Sequence, residues 1–170
     1  MYAIDAAEGS EDWFVTVRGP LHTAPAVAGW TIYLGTDANE LLALDAADGS
    51  ELFRLDTRGD VQSSPAVTNG SVYVGSDDGY VYAIDAEAGE LRWQYETRAD
   101  VRSSPAVTDD AVYVGSNDGH LYALDPDDRT LLWRHQVGDD VVGSPAVVDG
   151  AVAVVDVSGR LTVVEAAESE

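Results

Sequence analysis

The sequence predicts an all-β protein assembled from repeated four-stranded antiparallel sheets, and three observations carry that prediction. The first is a forty-residue interval, kept by Pro25, Pro65, Pro105 and Pro145 and by Asp5, Asp45, Asp85 and Asp125, with Glu165 in the fifth place. The second is strand-like alternation: Val72, Val74, Val112 and Val114 share one face while Tyr73 and Tyr113 take the other. Both faces are therefore apolar, as in a sheet held between two other sheets. The third is a run of short strands punctuated by turn residues, with no helical periodicity. A period near forty with four short strands per unit specifies the blades of a β-propeller. A parallel β-helix would use shorter coils without hairpin turns.

The unit is clearest over residues 63–95. Pro65-Ala66-Val67 opens strand A, and Thr68-Asn69-Gly70 turns into strand B, Ser71–Gly75. Asp78-Gly79 turns into strand C, Tyr80–Asp85, and residues 86–89 turn into strand D, Glu90–Tyr95. The Asn-Gly and Asp-Gly pairs supply the positive φ angles of tight hairpins.

Chain and blades are out of phase. Residues 1–17 supply strands C and D only, residues 18–57, 58–97 and 98–137 are full blades, and residues 138–170 supply A, B and C. The total is seventeen strands, one more than four closed blades need. In one arrangement strand D at Glu11–Val17 completes the last A-B-C sheet and closes a four-blade ring. Tyr2–Asp5 and Leu161–Glu165 then compete for one strand C position. The alternative is an open arc, half of an eight-blade propeller, which a second copy or a missing remainder of the chain completes.

Composition narrows the function. The chain carries 31 acidic and 9 basic residues, a net charge of -22, and every basic residue is Arg. The acids are spread over turns and strand ends, which matches a halophile-type coat that keeps a protein soluble in high salt. A docking site for a cationic partner is the other reading of that coat. No basic patch is available to neutralise phosphates, so nucleic acid is not an expected partner. Cysteine is absent, and no apolar run reaches the length of a membrane span. Met1–Asp5 has no signal-peptide character. The compartment is thus undetermined: cytoplasmic by default, exported if the N-terminus is truncated.

The C–D segments share the pattern Ala-x-Asp-x-x-x-Gly-x-x-x-Trp. It is filled by Ala3, Asp5, Gly9 and Trp13, by Ala43, Asp45, Gly49 and Phe53, by Ala83, Asp85, Gly89 and Trp93, and by Ala123, Asp125 and Trp133. Asp ends strand C and can cap the N–H groups of the turn, and Gly takes the left-handed position. The indole buries a large ring and needs an acceptor for its N–H. With Ser-Pro-Ala-Val and Val-Tyr-Val-Gly-Ser, the motif closely resembles the pyrroloquinoline-quinone (PQQ) repeat of quinoprotein-like β-propellers, over nearly the whole chain. The resemblance implies that these motif residues dock adjacent blades and have no catalytic role. Phe53 lacks the indole bond, Arg129 stands at a Gly position, and Val163 and Glu165 replace Ala and Asp in the last unit.

The family also contains PQQ-dependent dehydrogenases, which hold the quinone in the axial channel beneath adjacent cysteines, with a calcium ion on carboxylate and amide ligands. This chain has no cysteine and about half the blades. Asp77, Asp78, Asn117 and Asp118 recur as hairpin turns, and a calcium site built from them is the low-ranking alternative. His22, His120 and His135 occupy three different places in the repeat, so they do not form a ligand ring. Ser63, Ser64, Ser103 and Ser104 have no recurring base, and no Gly-x-Ser-x-Gly elbow is present. The expectation is no catalytic, cofactor or metal residue.

One region varies from blade to blade. The D-to-A connections carry Arg18, Arg58 and Arg98, then Asp60, Asp100 and Asp140, and lead into His22, Gln62, Arg102 and Val142 on the innermost strand. They are candidates for binding a ligand at the channel face; an Arg–Asp network that merely fixes the loops is the plainer reading. The function expected is a non-catalytic binding or interaction scaffold for a protein or peptide. A fragment or subunit of a quinoprotein oxidoreductase is the alternative.

Overall fold

The computed structural model describes residues 1–148 and 150–165 and contains only strands. The first two, β1 (Tyr2–Ile4) and β2 (Glu11–Phe14), form a two-stranded sheet. Three antiparallel four-stranded meanders follow. They are β3 (Ala26–Ala28) to β6 (Glu51–Asp56) through β4 (Thr31–Thr36) and β5 (Glu40–Asp45); β7 (Ala66–Thr68) to β10 (Leu91–Glu96) through β8 (Ser71–Gly75) and β9 (Tyr80–Asp85); and β11 (Ala106–Val107) to β14 (Leu131–Gln136) through β12 (Val112–Ser116) and β13 (His120–Leu124). A three-stranded sheet of β15 (Ala146–Val148), β16 (Ala151–Val155) and β17 (Leu161–Glu165) ends the series.

Because successive side chains alternate across a strand, each sheet feeds two cores. Val72, Val74, Tyr82 and Ile84 pack on Tyr33, Leu41, Ala43 and Val61. From the opposite face of the same sheet, Tyr73, Val81, Ala83 and Trp93 pack on Val112, Val114, Tyr122 and Leu124. A third cluster joins Leu121, Val137 and Val141 to Val152 and Val154, and a fourth joins Ile32, Leu34, Leu42 and Leu44 to Trp13, Val15 and Val17. Stability therefore resides at the four inter-blade seams, where each fully buried Val or Leu contributes roughly 1.5–3 kcal/mol.

Close approach of the blades explains the strand B glycines. A Cβ on Gly75 would lie 2.3 Å from Cγ1 and 2.5 Å from the carbonyl oxygen of Val101, and Gly35 and Gly115 meet Val61 and Val141 in the same way. Seryl hydroxyls tie together the segments that lead into the innermost strands. The Ala24 N–H donates to Ser64 Oγ, that of Ser64 to Ser104 Oγ and that of Ser104 to Ser144 Oγ, at 2.9, 2.9 and 3.1 Å. Ser63 and Ser103, just ahead of strand A, bridge to Gly75 and Gly115 on strand B.

Tight turns differ in one respect from expectation. Asn69 and Gly70 both take positive φ, 49° and 72°. In the Asp78-Gly79 turn only Gly79 does. Asp78 serves through its carboxylate instead, accepting from the Tyr80 N–H at 2.9 Å.

Strand exchange between the two ends does not occur. The β2 strand pairs with β1, Ala3 opposite Trp13, and β17 keeps its place beside β16 with Val163 opposite Ala153. No fourth strand joins the β15–β17 sheet among the described residues. Closure of a four-blade ring by Glu11–Val17 is thus not formed: the C–D hairpin already satisfies the strand's inner edge with its own motif partner. The result is an arc whose two end sheets expose apolar side chains, Tyr2, Ile4 and Phe14 at one end and Val157, Leu161 and Val163 at the other.

Candidate functional site

Antiparallel alternation sorts the connections between two ends of the sheets. The D-to-A connections and B–C turns lie at one end, the A–B and C–D turns at the other. Backbone bonds confirm each pairing. Asp77 N–H donates to Asp60 O at 2.8 Å, Asn117 to Asp100 at 2.9 Å and Val157 to Asp140 at 2.9 Å on the first face; Ala46 and Ala86 donate to Trp30 and Gly70 on the second.

On the D-to-A face the sequence candidates divide. The guanidinium of Arg102 makes a two-point contact with Asp77, Nε to Oδ1 at 3.0 Å and Nη2 to Oδ2 at 2.9 Å, and reaches Asp100 at 3.2 Å. His22 Nε2 lies 3.1 Å from Asp37 Oδ2, the carboxylate at the repeat position of Asp77. Gln62 is half-buried. Position 37 and its equivalent 117 each keep one oxygen shut from solvent without a donor, Asp37 Oδ1 and Asn117 Oδ1. Buried acceptors normally find partners, so the mouth of the arc is polar but incompletely paired.

Arg18, Arg58 and Arg98 are exposed and form no ion pair among the described residues. The Arg–Asp network considered as a loop clamp is therefore not built by these three with Asp60, Asp100 and Asp140. Backbone groups hold the loops instead. Thr57 Oγ1 and Ser76 Oγ both donate to Gly59 O, Thr97 Oγ1 and Ser116 Oγ to Ala99 O, and the Arg58 N–H donates to Asp78 Oδ2. Asp140 is exposed. A groove of about 390 Å³ opens beside Arg98, walled by Asp77, Asp78, Glu96 and Asp100.

The turn carboxylates are already engaged. Asp78 accepts from Tyr80 N–H, Arg58 N–H and Tyr82 Oη, and Asp118 accepts from His120 N–H and Tyr122 Oη. Burial, then the hydrogen bond to the neighbouring carboxylate, pushes the Tyr82 and Tyr122 hydroxyls far up. Among the described residues no three His, Cys, Asp or Glu side chains converge as metal ligands.

On the opposite face the C–D motif docks neighbouring blades. Trp13 Nε1 donates to Ala46 O at 3.1 Å and Trp93 Nε1 to Pro126 O at 2.8 Å, each to the following blade. Strand B adds a second donor: Tyr73 Oη reaches the same Pro126 oxygen at 3.4 Å, and Tyr33 Oη reaches Ala86 O at 2.9 Å. Tyr33 thus supplies at Ala86 the bond that Phe53 cannot make. The equivalent carbonyl for Tyr113 and Trp133 falls at residue 166, outside the described residues. Gly49 lies under the Trp13 ring and Gly89 under Phe53, where a Cβ would come within 2.6 and 2.4 Å. Asp85 Oδ1 accepts from Ala88 and Glu87 N–H groups and Oδ2 from Arg92, and these bonds hold its carboxyl down at about 2. Arg129 keeps the left-handed φ of 65° that its glycine counterparts use, so the turn is retained with local strain.

The family model for the outer membrane protein assembly factor BamB, a PQQ-repeat model, matches residues 1–170. The chain belongs to this PQQ-repeat propeller family. BamB from Moraxella catarrhalis is 26% identical and superposes with a TM-score of 0.82, over 92% of this chain and 50% of that one. The computationally designed Ika4 protein is 19% identical, TM-score 0.83, over 92% of this chain and 98% of that one. A quinohemoprotein alcohol dehydrogenase from Pseudomonas putida HK5 is 22% identical, TM-score 0.70, over 84% and 29%. The chain therefore spans half the length of the BamB structure that it matches. A search among curated proteins finds no significant match.

Sequence reasoning passed over one residue. Trp30 stands at the tip of the first A–B turn with 78% of its surface exposed. Its repeat equivalents are Gly70, Asp110 and Gly150, and that break in the pattern was the signal available.

Proposed function

We propose that this chain is a non-catalytic propeller scaffold that binds a protein or peptide across the face of its D-to-A connections. The observation that carries the reading is the row of exposed guanidiniums at Arg18, Arg58 and Arg98, one in each of the first three connections and without an ion pair among the described residues. In a chain of net charge -22 with carboxylates on every side, an arginine that pairs with none of them is placed to meet an acidic group from outside. Arginine recognises a carboxylate with two parallel bonds, which fixes direction as well as strength. The inner positions His22, Gln62 and Arg102 differ between blades and would give the face its selectivity. The acidic coat acts mainly as a high-salt solvation layer.

The end sheets support a second element of this reading, a homodimer of two arcs that completes an eight-blade ring when each junction blade combines β15–β17 of one copy with β2 of the other and leaves β1 outside it. Tyr2, Ile4 and Phe14 at one end, and Leu161 and Val163 at the other, are each more than half exposed, and contiguous apolar surface of this kind marks contact surfaces. The binding face would then be shared by both copies.

The test is retention of proteins from the source organism by immobilised chain in molar KCl. Arg58→Ala combined with Arg98→Ala should release species that the wild type holds, with melting unchanged. Equal retention, or a large loss of stability, would return both arginines to a structural role.

A further inference from the structure

We infer that the groove beside Trp30 is a second binding site, for a basic peptide segment whose Arg or Lys cation lies on the indole face. It goes beyond the D-to-A face, because it opens at the other end of the sheets, between the A–B turns of adjacent blades. The groove measures about 490 Å³, within the usual range for small-ligand sites. Ala28 and Val67 give it apolar walls, and Asp85, Glu87 and Arg92 line its C–D side.

Three features point to a cation. An indole 78% exposed at a hairpin tip buries little of its ring in the chain, and its electron-rich face attracts Arg and Lys more strongly than the other aromatic rings do. The charges of the groove are unequally engaged: Asp85 is paired with Arg92 at 2.7 Å, while Glu87 forms no ion pair among the described residues. The Asp85–Arg92 pair thus leaves Glu87 as the net charge of the site. The whole chain, at -22, adds a field of the same sign. A neutral ligand would gain nothing from that field, and an acidic one would find no free guanidinium in this groove, because Arg92 is paired with Asp85.

The experiment is calorimetric titration of a capped triarginine peptide in molar KCl, where long-range attraction is screened. Wild type should bind saturably. Trp30→Ala should weaken binding roughly tenfold and Glu87→Gln by a smaller factor, both with unchanged melting because both side chains are exposed. Trp30→Phe keeps an aromatic face and should fall between wild type and Trp30→Ala. Arg58→Ala, on the opposite face, should bind like wild type. Equal affinity in Trp30→Ala, no saturable binding by wild type, or equal binding of a capped triglutamate peptide would overturn the assignment. None of these results bears on retention through Arg58 and Arg98, so the two sites stand or fall separately.

Discussion

Replacing Trp93 by Phe isolates what the indole N–H contributes to blade docking, because the structure contains its own control. At Pro126 the carbonyl has two donors, Trp93 Nε1 at 2.8 Å and Tyr73 Oη at 3.4 Å; at Ala86, where Phe53 has no N–H, the single Tyr33 bond is 2.9 Å. Trp93→Phe should therefore be partly rescued as Tyr73 closes on the carbonyl. The lost bond costs about 1 kcal/mol, and the smaller ring in a site only 7% exposed adds about 1–2 kcal/mol. Tyr73→Phe alone, which removes the longer bond, should cost about 0.5 kcal/mol. The double variant leaves a half-buried carbonyl with no side-chain donor, so the sum should be exceeded by about 1 kcal/mol. The assay is urea denaturation in molar KCl followed by far-ultraviolet circular dichroism, which does not depend on the tryptophan removed. Strict additivity would refute the shared-acceptor argument. So would a Trp93→Phe loss near the 3–5 kcal/mol of a full ring deletion.

Other expectations follow from the same geometry. Gly75→Ala should destabilise by several kcal/mol, because its Cβ would sit 2.3 Å from Val101 Cγ1; a neutral result by denaturation would remove close approach as the reason for that glycine. The folded Tyr82 and Tyr122 hydroxyls are raised by burial, so the unfolded chain ionises first. Stability should hold below a pH of about 10 and fall as pH rises beyond it, with the fall reduced in Tyr82→Phe. Asp85 behaves oppositely: its folded value of about 2 means its contribution is present above a pH of about 4 and lost on acidification, a dependence that Asp85→Asn should lack. Melting temperature should climb steeply with KCl if the acidic coat is a high-salt adaptation, and a flat response counts against it.

Much of the fold was legible because every blade repeats the same local chemistry. The strands B and C of residues 71–75 and 80–85 run where turn residues and alternation place them, and the seam cores follow from two apolar faces per sheet. Closure was not legible, since Tyr2–Ile4 and Leu161–Glu165 are equally good third strands and only the paired backbone shows that each keeps its own neighbour. On the candidate face, spacing identified the arginines and the variable inner positions. It did not foresee that Arg102 would be consumed by Asp77 while Arg58 and Arg98 stand apart, because those pairings cross from one blade to the next turn. Trp30 was overlooked for a different reason. A repeat draws the eye to what is kept, and an exposed binding residue is found where it is broken.

The central claim is that these blades bind a partner rather than carry out quinone chemistry. The most direct measurement is to incubate the chain with PQQ and Ca²⁺ in molar KCl, desalt it, and record both its visible absorption and its reduction of a dye with alcohol substrates. A scaffold returns colourless and inert from that treatment. A retained chromophore that supports dye reduction would contradict the account and make the chain part of a quinoprotein oxidoreductase.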